Sequence, residues 1–89
     1  MNYRETYNDL DKRVNADIIE LAKEYDAENP KNIKVTIYGV GILDDYDLVK
    51  MWYDEDANNV CFLNSEDEEQ MFYFFDLDTR IDILNELNK

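Results

Sequence analysis

Apolar side chains recur at steps of three and four through the first 25 positions: Tyr3, Tyr7, Leu10, Val14, Ile18, Leu21 and Tyr25. That spacing draws one continuous stripe down a helix. Asn2 and Glu5 supply a capping pair at its start. Pro30 stops it, because the residue before a proline is driven out of helical space. The pattern predicts a helix over 3–28. At 1.5 Å per residue it would be roughly 38 Å long and would overhang a six-residue strand of about 20 Å. A break near Asn15-Ala16-Asp17 would relieve the overhang.

After the proline the period changes from 3.6 to 2. Ile33, Val35 and Ile37 alternate with polar residues and share one face of a first strand. Leu48 to Tyr53 and Val60 to Leu63 are the next two runs, joined across Asp54-Glu55-Asp56-Ala57-Asn58-Asn59, whose residues favour a hairpin turn. In the second strand Val49, Met51 and Tyr53 face one way and Leu48, Lys50 and Trp52 the other. Ser65 and Glu68 have the spacing of a capping box opening a helix, whereas the aromatic run Met71 to Phe75 fits a fourth strand better. Asp78-Thr79 then caps a short helix with Ile81, Ile83, Leu84 and Leu87 inward. The expected fold is α+β: a two-layer sandwich of a long N-terminal helix, an antiparallel meander of about four strands and a short C-terminal helix. Residues 1–89 are read as a single small acidic domain.

Charge limits what such a domain can do. Twenty-two Asp and Glu against nine Lys and Arg leave a net charge of −13, and there is no histidine. The surface repels nucleic acid and anionic membrane and attracts basic proteins from a distance. Phosphate contacts need clustered cations, so direct nucleic-acid binding is not expected. Without histidine, Cys61 and the lone serine, Ser65, have no customary activating base. With so many acids, neighbouring carboxylates arise by chance and do not indicate acid–base catalysis. Gly39-Val40-Gly41 lacks the third glycine and the lysine of a phosphate loop and reads as a strand-end turn. Asp54, Asp56 and Asn58 match the first, third and fifth ligands of an EF-hand, but Asn59 stands at the glycine position and Ser65 at the bidentate glutamate. No catalytic residue, metal ligand set or cofactor is expected.

The single cysteine gives no internal disulfide. Met1 to Glu5 carries a charge of each sign and no apolar segment, so no signal peptide is expected. The longest bulky apolar run, Met71 to Phe75, falls far short of the roughly 18 residues of a membrane span. The expected location is cytoplasmic.

The acids are unevenly placed. Residues 1–30 hold eight acids and four bases, and residues 64–89 hold eight acids and two bases. If both helices cover one face of the sheet, Trp52 and Leu48, with Tyr38 or Phe62, are left on the other; if the helices divide between the faces, Trp52 is core. An aromatic patch ringed by acids has the composition of a protein-binding hot spot. The candidate partner-binding residues are Trp52, Tyr38 and Tyr46 as anchors, with Asp54, Glu55, Asp56, Glu66, Asp67, Glu68 and Glu69 steering the approach. The expected function is a non-catalytic module that binds a basic protein surface, a nucleic-acid-binding protein being one such partner. In size, charge and aromatic content the chain resembles the small acidic inhibitors that phages and mobile elements direct against DNA-binding host enzymes. That likeness is one of composition, covers no motif and gives no residue a role. The alternative is a small structural or regulatory subunit, a homodimer or complex component held by apolar surface.

Overall fold

The computed structural model describes the backbone of residues 3–38 and 46–89 and the side chains of residues 8–38 and 47–89. The elements are α1 (Tyr3–Ala22), β1 (Lys31–Ile37), β2 (Tyr46–Asp54), β3 (Asn59–Asn64), β4 (Glu69–Met71), a 3-10 turn (Phe72–Phe74) and α2 (Leu77–Leu87). The four strands form one antiparallel meander in the order β1-β2-β3-β4. This is the expected α+β arrangement of helix, sheet and short helix. The Asn2–Glu5 capping pair and the Gly39-Val40-Gly41 turn lie outside the described residues.

α1 runs through Asn15 without a break and ends six residues earlier than its apolar stripe suggests. Like-charge pairs at four-residue spacing, Glu20 with Glu24 and Glu24 with Glu28, oppose its extension. Asp26 offers the backbone an alternative, its Oδ1 accepting from the N–H groups of Glu28 and Asn29 at 3.1 and 2.9 Å. The freed segment is then used: the Tyr53 N–H donates to the Tyr25 carbonyl at 2.6 Å, tying the connection to β2 beyond the end of β1. Early termination shortens α1 to 20 residues, about 30 Å, which matches the nine-residue β2 without a break.

Val14, Ile18 and Ala22 of α1 share one core with Val35, Leu48, Met51, Val60 and Phe62 of the sheet and Leu77, Ile83 and Leu84 of α2. Both helices therefore cover the same face. Arg80 cross-links them: its guanidinium donates to Asn15 at 2.7 Å, forms an ion pair with Asp11, and lies 6.0 Å from the centre of the Phe72 ring.

Strict alternation places Leu48 opposite to Met51, yet both are fully buried in this core. The register explains the difference. Leu48 pairs with Asn64 and Lys50 with Leu63, so β2 carries one extra residue at Val49 relative to β3. A bulge of this kind reverses which parity points inward. β1 carries a matching irregularity between Asn32 and Val35.

The segment expected as strand over Met71 to Phe75 is divided. β4 covers Glu69–Met71, and Phe72–Phe74 turns into 3-10 helix. With three residues per turn, positions i and i+3 eclipse. Phe72 and Phe75 thus both reach Phe62, with ring centres at 6.0 and 6.5 Å, while Tyr73 and Phe74 point outward. Ser65 opens no helix. Asn64 organises a turn instead, its Oδ1 accepting from the N–H groups of Glu66 and Glu68 and its Nδ2 donating to Glu68. α2 is capped by Asp76 rather than by Asp78-Thr79, the Asp76 carboxylate accepting from the Thr79 N–H at 2.8 Å. Those bonds from the Thr79 side chain and backbone hold the Asp76 carboxyl below its ordinary pKa.

This geometry separates two aromatic residues of the same turn, Phe72 and Phe74, by consequence. Phe72→Ala should cost about 3–5 kcal/mol of stability, whereas Phe74→Ala should stay within about 0.5 kcal/mol. Urea unfolding of the two variants checks this, and equal losses would contradict the 3-10 turn.

Candidate functional site

With both helices on one face, the opposite face of the sheet is built by residues that alternate with the core. Trp52 on β2 pairs with Cys61 on β3, and Cys61 pairs with Met71 on β4. Trp52, Leu63 and Met71 are half-buried, and none belongs to the core cluster or packs against it. Along β2, exposed Lys50 precedes Trp52 on this face and Asp54 follows it. The other two aliphatic or aromatic residues expected here, Leu48 and Phe62, are instead fully buried in the core.

The β2–β3 turn sits beside Trp52. Asp54 shapes it, accepting from the N–H groups of Asp56 and Ala57 at 3.1 and 3.3 Å. Asn58 takes a left-handed conformation with φ of 48°, which asparagine tolerates better than most residues. Its side chain accepts a hydrogen bond from the Tyr53 hydroxyl. These bonds occupy Asp54 and Asn58 as parts of a turn rather than as arms of a calcium loop. Among the described residues no three Cys, Asp or Glu side chains gather as a metal site. Asp26, Ala27, Trp52 and the acids Asp54, Glu55 and Asp56 line a shallow hollow of about 300 Å³.

The other candidates lie elsewhere. Glu66, Asp67, Glu68 and Glu69 belong to the β3–β4 turn at the far end of β3, roughly 20 Å away at strand rise. Glu69 alone returns along β4, opposite Leu63. Tyr38 follows β1, is 75% exposed, and borders α2 instead. Tyr46 opens β2, and its side chain lies outside the described residues, as does Asp44-Asp45. The structure thus joins Trp52 with the 54–56 turn, brings Glu69 onto the same face through β4, and leaves the rest of the set apart. Cys61 and Met71, as Trp52's cross-strand neighbours, were not legible as such because strand pairing decides which residues meet.

Cys61 reports on this face. Its burial pushes the thiol pKa above the ordinary 9.0, and the carboxylates of Asp54 and Glu69 push it further in the same direction. Because the folded thiol titrates above the unfolded value, the neutral thiol favours folding below pH 9.0, and that contribution is lost as pH rises through the folded pKa. No helix among the described residues is long and apolar enough to cross a membrane. Comparison with protein-family models, with curated proteins and with solved structures finds no match to this chain.

Alkylation of Cys61 by iodoacetamide at about pH 8 should run slower than that of an unstructured thiol. Asp54→Asn and Glu69→Gln should each speed it. Rates unchanged in both variants would place the two carboxylates outside the electrostatic reach of the thiol.

Proposed function

We propose that this chain is a non-catalytic acidic module that binds a basic protein surface through the sheet face carrying Trp52. The observation that supports this reading is the placement of Trp52. It lies half-exposed on the face that no helix among the described residues covers, beside a turn bearing three consecutive carboxylates and lining the shallow hollow they share. An aromatic ring that needs covering, with charge at its margin, suits a hot spot whose approach is electrostatically steered. In this reading Trp52, with Leu63 and Met71, supplies the apolar contact, and Asp54, Glu55 and Asp56 select cations.

A nucleic-acid-mimicking inhibitor is a narrower form of the same idea. It requires carboxylates in a row at phosphate-like spacing of about 3.4 Å. The 54–56 and 66–69 clusters lie at opposite ends of β3, so only one cluster at a time would contribute. A structural subunit held by apolar surface is the second reading. It draws on the outward Tyr73 and Phe74, which are 51% and 70% exposed with ring centres 5.0 Å apart.

Trp52 is the only tryptophan, so its emission follows binding directly. Titration with a lysine homopolymer should shift that emission at about 50 mM salt and lose most of the effect at about 500 mM. Neutralising the turn as Asp54→Asn, Glu55→Gln and Asp56→Asn removes three exposed pairings of up to ~0.5 kcal/mol each and should weaken binding about tenfold. Neutralising Glu66, Asp67 and Glu68 changes the charge equally but should weaken it less. Equal losses from the two triple variants, or salt-independent binding, would overturn the proposal.

A further inference from the structure

A second surface on this molecule has the features of a site for an extended chain. β1 is an outer strand of the sheet, and among the described residues no strand pairs with its free edge. Such an edge presents unpaired backbone N–H and C=O groups and accepts another strand unless charge or cover prevents it. Lys31 and Lys34 guard the first half of β1 with charge. The second half, Val35 to Ile37, and Tyr38 just beyond it are uncharged. It borders a groove of about 550 Å³ whose far wall is α2.

That wall is acidic at a regular interval. Asp78, Asp82 and Glu86 all line the groove and follow one another at four-residue spacing. Successive carboxylates therefore stand about 6 Å apart along the helix. Like charges at this spacing destabilise a helix slightly, and among the described residues only Glu86 of the three is offset by an ion pair, with Lys89 at 2.7 Å. Alternate residues of a β-strand lie about 6.8 Å apart. Over two steps the mismatch is about 1.6 Å, well within the swing of a lysine side chain. Tyr38, 75% exposed at the end of the edge, leaves a ring free to cover an aliphatic stem.

We propose that the Val35–Tyr38 edge of β1 accepts an extended basic segment as a fifth strand. Lys or Arg at every second position of that segment meets Asp78, Asp82 and Glu86 across the groove. Main-chain hydrogen bonds supply affinity and the acidic ridge supplies selectivity. A second copy of this chain is a poor occupant, since it would bring another surplus of carboxylates to the same ridge. The site is separate from the Trp52 face and does not depend on it.

The probes are a synthetic peptide of alternating Lys and Thr, and a control of equal composition with its lysines in one block. The alternating peptide should protect backbone amides within 35–38 from hydrogen exchange, and the blocked control should protect them far less. Asp78→Asn with Asp82→Asn should weaken the alternating peptide about fivefold, with circular dichroism unchanged. Trp52→Ala should leave its binding intact, so this result is read independently of the other face. Absence of protection at 35–38, equal protection by the two peptides, or loss of binding in Trp52→Ala would each overturn the proposal. So would protection that rises with protein concentration without peptide, which would assign the edge to self-pairing.

Discussion

Everything distinctive about this molecule follows from both helices packing on one face of the sheet. Ile18 of α1 and Ile83 of α2 are each fully buried in a single cluster with Leu48, Met51 and Phe62, and Arg80 bridges the helices above it. The dimensions agree with this arrangement. Two helices, each roughly 10 Å across, match four strands spaced about 4.8 Å apart. With one face covered, no further helix among the described residues is left for the other, and Trp52 stays half-exposed there.

Much of the fold was legible because hydrophobic period tracks element type. The stripe through Val14 and Ile18 specified α1, and the alternation of Ile33, Val35 and Ile37 specified β1 and its inner face. What stayed hidden depends on contacts between distant residues. The end of α1 at Ala22 is coupled to a bond between Tyr25 and Tyr53. The bulge at Val49 brings Leu48 and Met51 to the same side, which no local pattern announces. For the aromatic run β propensity favours a strand, whereas filling the space around Phe62 demands a three-residue repeat.

The candidate surface was legible in its parts and not in its grouping. Trp52 and the acids at 54–56 are close in sequence and lie across a tight turn, so their proximity was local. Glu66 to Glu68 and Tyr38 carry similar composition but sit at other places in the meander, and only strand pairing brings Glu69 onto the Trp52 face. The acidic ridge of Asp78, Asp82 and Glu86 looks in the sequence like the ordinary polar side of an amphipathic helix. Its neighbour across the groove, the edge of β1, is separated from it by some forty residues of sequence.

The central claim is that Trp52 lies half-exposed within a negative field on the face opposite the two helices, and collisional quenching of its fluorescence tests this most directly. Acrylamide, which is neutral, should quench the single tryptophan readily. Relative to their quenching of free N-acetyltryptophanamide at equal, low ionic strength, caesium should be favoured over iodide, because Asp54, Glu55 and Asp56 attract the cation and repel the anion. A tryptophan shielded from acrylamide would contradict the one-sided packing of the helices. Caesium and iodide quenching changed by the same factor relative to that free indole would contradict the acidic character of that face.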